Sequence, residues 1–308
     1  MNVSTADPTR TTTLRRVFEA EMTRRFNKLT KELNWLLIGE DAFGLTNNYR
    51  WRFMSQPQQI DAFKLWLLQQ IDNKVFSSKQ ATGQDWMYDY IQAGFSKGQE
   101  RSFADVRKPA LWKKRMDFYN GTREEFMRSS FMRPISIEKV KVLAGRVFSE
   151  LEGITSAMSQ QITRAMIDGL TQGMGPREIA GLVSSRVAAI GKERAKALAR
   201  TEIIRAHSEG QLDSLEQLGV EQVGVAVELA TSGYNVCEKC KKLNKVVLTL
   251  AEARGVIPVH PNCKCSWIPA NVGEDHRGQK RNYSSIKNAI ERSLGKKRIS
   301  KKRPKEMV

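Results

Sequence analysis

All four cysteines of this chain, Cys237, Cys240, Cys263 and Cys265, fall within 29 consecutive residues, with His260 among them. The pattern is Cys237-x-x-Cys240 followed by His260-x-x-Cys263-x-Cys265. A CxxC turn brings two thiolates to one point in space, and a tetrahedral zinc ion needs four such soft or borderline donors. The second cluster supplies three candidates for the two remaining positions. His260 with Cys263 is the favoured pair, because a two-residue spacer lets both side chains turn back on one point. Cys265 is the alternate ligand, since in an extended Cys-x-Cys both sulfurs share one sheet face. Lys239, Lys241, Lys242 and Lys264 would offset the negative charge of such a site. The plainer reading is a pair of buried or disulfide-bonded cysteines. Metal is preferred because crowded cysteines in a reducing compartment point to a ligand set. The surrounding unit of about 50 residues also lacks the apolar mass to fold alone. A structural Zn2+ supplies about 10–16 kcal/mol of apparent binding energy to units of this kind. Four protein ligands leave no position for a catalytic water, so the expected ion is structural.

That unit is set off by a change of period. Val223, Val225, Val227 and Leu229 alternate as a strand does. A turn at 231–235 precedes the first cysteine pair, residues 246–250 read as a second strand, and 259–267 follow. Before Gly219 the apolar residues recur every three or four positions, the spacing of a helix with one buried face. Leu14, Phe18, Met22, Phe26, Leu29, Leu33 and Leu36 form the first stripe, with Gly39 as its stop. Tyr49, Trp51 and Phe53 alternate with Arg50 and Arg52, which predicts a short strand with one packed and one solvated face. Pro57 suits a first helical residue, and Ile60, Phe63, Leu67, Ile71 and Val75 line the face that follows. A third helix is expected over about 84–107, with Trp86, Tyr90 and Phe95 inward. Ser136 is the candidate N-cap of a stripe from Val140 to Leu170, either one very long helix or two joined near Gly153. Gly173, Gly175 and Pro176 end it and open another helix, and a last long helix covers about 192–218.

The sequence therefore predicts an α+β chain: a mainly α-helical body with long helices, a small zinc-stapled β-containing module and a basic C-terminal tail. The expected divisions are an N-terminal helical region (1–130), a long-helix core region (131–220), the β module (221–275) and the tail (276–308). Charge supports the last boundary. The 308 residues carry a formal +18, of which the tail from Arg277 onward contributes +10. Such an excess points to a polyanion. Its densest run, Lys296, Lys297, Arg298, Lys301, Lys302 and Arg303, is too charged to pack. The choice there is between a solvated end and an arm that neutralises DNA phosphates. No aromatic interleaves the run, which argues against stacking on single strands. No apolar run approaches the ~18 residues of a membrane span, and no secretory leader is expected at the start.

Catalytic chemistry is thinly supplied. A metal-dependent nuclease needs further His, Asp or Asn residues around an open metal position, and the chain has three histidines. His207, on a helix beside Arg205 and Glu209, reads as a solvated or packing residue. No G-x-S-x-G elbow is present, Gly191-Lys192-Glu193 lacks the rest of a P-loop, and Glu124, Glu125, Glu150 and Glu152 read as solvated helix faces. No helix beside the finger presents base-reading residues, as a zinc regulator would require. The expectation is a protein that is not an enzyme, with a metal-dependent nuclease or toxin-like effector acting on nucleic acid as the alternative.

The runs "MSQQITRAMIDGLTQGMGPREIA", "RAKALARTEIIRAHSEGQLDSLEQLG", "CEKC" and "HPNCKC" resemble the phage head-morphogenesis family, the minor head proteins similar to protein F of phage Mu. The resemblance spans roughly Ile137 to Pro269. It implies a minor capsid protein of a tailed phage, located at the capsid interior or portal vertex of the virion and in the host cytoplasm during assembly. The implied partners are the portal protein, capsid or scaffold proteins, and packaged double-stranded DNA through the basic tail; no membrane is implied. Cys237, Cys240, His260, Cys263 and Cys265 match the family's Cys/His positions, and Arg200 and Glu202 its helical Arg-Thr-Glu. Two apart on a helix, Arg200 and Glu202 do not face each other, so each is expected to pair elsewhere in an order-giving, non-catalytic role. The family often has a Trp-containing strand before the first cysteine; here that stretch reads "VAVELATSGYN".

Overall fold

The computed structural model describes residues 7–43, 57–77, 85–106, 121–131, 133–219, 225–231 and 236–271. The strand expected at 49–53 and the basic run 296–303 lie outside them. Helix α1 (Thr12–Asn34) turns Phe18, Met22, Phe26, Leu29 and Leu33 fully inward, following the expected stripe. A π-helical turn, Trp35–Gly39, ends it. Leu37, four residues beyond Leu33, is buried there, and Leu36 packs partly exposed against the same core. Helix α2 (Pro57–Ile71) also runs into a π-helical turn, Asp72–Phe76. Helices α3 (Tyr88–Val106) and α4 (Arg123–Phe131) complete the N-terminal part, joined by stacked Phe103 and Phe126 rings 4.7 Å apart.

Helix α5 (Pro134–Thr171) is a single 38-residue helix. Gly153 does not divide it, because the position faces open space and costs only helix propensity. The helix starts earlier than Ser136 suggested. Pro134 takes the first helical position, where its missing N–H is harmless and its φ already set. Ser136 is instead buried and donates to Asp213. Gly173, at φ 68°, reverses the chain into α6 (Pro176–Arg186). A π-helical turn, Val187–Lys192, then leads into α7 (Glu193–Gln217).

Beyond α7 come β1 (Val225–Ala230), α8 (Glu238–Leu243), β2 (Val247–Leu248), α9 (Leu250–Ala253) and β3 (Ser266–Asn271). The strands form one antiparallel sheet ordered β2–β1–β3, with Val227 opposite Leu248 and Leu229 opposite Trp267. The strand expected over 246–250 shrinks to two residues because Thr249 and Glu252 form a capping box that opens α9.

α7 is the pillar of the fold. Ala195, Ala199, Ile203 and Ala206 enter the core shared by α1, α2, α3, α5 and α6. Ile204, Leu212 and Leu215 enter a second core with Phe103, Phe126 and the module's Val227, Leu229, Leu248, Ile257 and Trp267. The argument from scarce apolar mass therefore needs correction: the module borrows its hydrophobic partners from three helices. α3 and α7 touch backbone to backbone. A Cβ on Gly98 would lie 2.0 Å from the His207 carbonyl oxygen, and one on Gly210 2.0 Å from that of Phe95. Only glycine permits that approach. No helix among the described residues is long and apolar enough to cross a membrane.

Candidate metal centre

The two halves of the Cys/His motif arrive from different local structures. Cys237 caps the N-terminus of α8, its Sγ accepting the Cys240 N–H at 3.4 Å. This helical turn swings Cys240 back beside Cys237. His260, Cys263 and Cys265 come from the loop that enters β3, where Asn262 adopts φ 62° to make the bend. Asparagine tolerates that conformation better than most residues.

Two donor groups result. Cys237, Cys240 and His260 place their ligand atoms within 4.8 Å of one another, and so do Cys240, Cys263 and Cys265. Cys240 belongs to both, and its Sγ lies 4.0 Å from that of Cys263. Around a tetrahedral ion with metal–sulfur bonds of about 2.3 Å, sulfurs sit about 3.8 Å apart, so the donors fit a cation with little movement. The His260 ring is tied to its own loop. Its Nδ1 lies 2.7 Å from the Pro261 carbonyl oxygen. A carbonyl only accepts, so Nδ1 carries the proton and Nε2 keeps the free lone pair. Burial grades across the cluster: Cys240, Cys263 and Cys265 are at most 3% exposed, whereas Cys237 is exposed and His260 half-buried. The convergent thiols concentrate negative charge on Cys263. Hydrogen bonds from Cys240 and Cys265, and backbone donors, hold its thiol well below the ordinary range. Cys240, hydrogen-bonded to Cys263, is pushed up. The cluster could hold a metal ion, and neither donor group contains a carboxylate.

The Arg-Thr-Glu segment of α7 explains how this loop is docked. Successive helical residues point about 100° apart, so three neighbours in sequence reach three different elements. Arg200 makes a two-pronged ion pair with Glu19 of α1, at 2.6 and 2.8 Å. Glu202, 3% exposed, accepts from Arg205 one turn on (3.0 Å) and faces Arg146 of α5 (3.5 Å). Thr201 faces the metal loop, its Oγ1 accepting the Asn262 N–H at 3.1 Å. Thr201, uncharged and without a period of its own, carries no sequence signal of this contact.

Two further α7 residues escaped the sequence reading. The Gln211 side chain pairs with an extended backbone as a neighbouring strand would. It accepts the Trp267 N–H (3.1 Å) and donates to the Trp267 carbonyl (2.9 Å). The Trp267 indole N–H donates to Ser208. Asp213, 1% exposed, gathers Gln99 of α3, and Ser136 and Lys139 of α5. His207 is a packing residue. It is buried, neither ring nitrogen has a hydrogen-bond partner among the described residues, and burial pushes its pKa down to about 3. Of the residues singled out from sequence, the five Cys/His side chains come together, while Arg200 and Glu202 point to separate helices. The tail lysines and arginines lie outside the described residues.

Comparison with known proteins finds a family that this seam resembles. Residues 160–268 match the family model described as Phage Mu protein F like protein. Neither the curated proteins nor the solved structures give a match. The matched stretch runs from within α5 to β3 and includes all of α7, every Cys/His donor and the Thr201–Asn262 tie. Residues 160–268 of the chain are thus similar to the phage Mu protein F-like family.

Proposed function

We propose that this protein is a minor head protein of a tailed phage, acting in head morphogenesis at the portal vertex or capsid interior. In this reading it associates with the portal protein and with capsid or scaffold proteins, and it aids DNA packaging or delivery. It performs no catalysis, and a structural Zn2+ joins its Cys/His loop to the helical body. The observation that carries the reading is the family match over the stretch in which α7 ties α1, α5, the metal loop and β3 together. Side chains here are committed to joining elements. The donor set of thiols and imidazole without carboxylate is that of closed structural zinc sites.

The test is co-expression with the portal protein of the same phage. The two are expected to co-purify, and particles assembled without this chain are expected to retain less DNA. Failure to associate, together with normal DNA content in its absence, would overturn the proposal. Purified protein is expected to carry about one zinc per chain, measured by elemental analysis. Deleting residues 296–308 is expected to weaken duplex binding at low salt. Plasmid cleavage with Mg2+ or Mn2+, abolished by His260→Ala, would favour a nuclease instead.

A further inference from the structure

Away from the Cys/His loop, one face of α1 carries Arg24, Lys28 and Lys31. At i, i+4 and i+7 these residues lie along one side of the helix. With Arg25, Lys74 and Glu32 they line a cleft of about 480 Å3 between α1 and the π-helical turn that ends α2. The other lining side chains, Asn73 and Ser77, are polar as well. Glu21 stands behind Arg24 and Arg25 and pairs with both, so among the described residues of the cleft five cations outnumber the carboxylates of Glu21 and Glu32.

The walls are set in advance. Arg25 donates to the backbone carbonyls of Val75 (3.0 Å) and Ser77 (2.9 Å), and its guanidinium lies 4.1 Å from the Trp86 ring centroid. Lys74 is held by Glu32 at 2.7 Å. The outward row of Arg24, Lys28 and Lys31 is exposed and spans about 10 Å of helix axis at 1.5 Å per residue. One strand of a duplex carries about three phosphates over that length. A row of this reach fits a repeating phosphate chain better than one small anion. Among the described residues no aromatic lines the cleft, so none of them stacks on bases there.

We propose that this cleft binds the phosphodiester backbone of duplex DNA without sequence preference, at a second site distinct from the basic tail. The inference rests on charge and geometry in α1 and α2, outside the family-matched residues, and stands or falls separately from the head-protein reading. The test is fluorescence anisotropy of a labelled 20-base-pair duplex, titrated with the full chain from 50 to 200 mM salt. Each phosphate contact contributes about 0.9 to the slope of log affinity against log salt. Lys28→Gln/Lys31→Gln is therefore expected to bind more weakly at 50 mM and to flatten the slope by about 2. The wild-type advantage then shrinks about tenfold by 200 mM. Two duplexes of unrelated sequence are expected to give the same result, and Lys64→Gln on α2 to match wild type. Unchanged affinity and slope in the double variant would overturn the site. So would an unchanged DNA isotherm accompanied by lost binding of polyglutamate, which would assign the cleft to an acidic protein. Both lysines are exposed, so the variant is expected to melt with wild type. If it does not, Lys31→Gln alone, with an expected slope change of about 1, decides.

Discussion

Gly98→Ala sets two physical effects against each other. Alanine is favoured over glycine within a helix by about 1 kcal/mol, so propensity alone predicts stabilisation. The new methyl would lie 2.0 Å from the His207 carbonyl oxygen and 2.9 Å from the Gln211 nitrogen. Cβ contacts below 3.0 Å essentially do not occur, so α3 and α7 must part by about 1 Å at this crossing. Both obstructing atoms are backbone and cannot rotate away. The same displacement stretches the Gln99–Asp213 bond (3.1 Å) and the Ser214–Gln99 bond (3.2 Å), both buried. Overpacking costs about 1–3 kcal/mol and a strained buried hydrogen bond about 1–3 more. After the propensity gain, the expected net loss is about 3 kcal/mol, read from urea unfolding. Gly153→Ala faces open space and is the control, expected to gain about 0.5–1 kcal/mol. If Gly98→Ala unfolds at or above the wild-type midpoint, the backbone-contact argument is wrong.

Further outcomes follow from the α7 seam. His207 takes its proton in the unfolded chain near pH 6.5 but in the native protein only near 3. The unfolded state therefore binds more protons between those limits, so stability is lost as pH falls through that window, by up to about 1.4 kcal/mol per pH unit. His207→Met is expected to remove that share of the pH dependence, and an unchanged slope in acid unfolding would refute it. Asp213→Ala strands Lys139, Gln99 and Ser136 and should cost about 3 kcal/mol by chemical denaturation, with Asp213→Asn costing less. In chelator competition, His260→Ala is expected to release zinc faster than Cys265→Ser; the reverse order would make Cys265 the fourth ligand. Thr201→Val, which removes the acceptor of the Asn262 N–H, should accelerate release about fivefold, the equivalent of about 1 kcal/mol.

The readable features are those with a local period or a local spacing. Phe18 to Leu33 bury in α1 because residues three and four apart share a face, and that information lies within one helix. The Cys/His set was visible because CxxC, HxxC and CxC are compact in sequence, with Cys265 already offered as alternate ligand; that Cys240 is shared by both donor groups needed coordinates. The interior of α7 was not readable. Gln211 and Asp213 look like ordinary polar positions of a solvated helix, yet both are buried. Their partners lie far along the chain, Trp267 for Gln211 and Gln99 for Asp213. Pattern reading treats polar residues as outward-facing; a helix enclosed on every side inverts that rule. Nor does any periodicity mark Gly98 and Gly210, whose role exists only where two helices cross.

The Gln211 clamp has a consequence for how copies of this protein behave beside one another. Sheets with bare margins recruit neighbouring chains, the route to fibres and swapped dimers. Here the outer margin of β3 at Trp267 is already occupied by a side-chain amide, and the opposite margin, β2, offers only two residues. Strand addition finds little purchase on either side. Crowded copies can therefore meet through their helices and charges without fusing through their sheets.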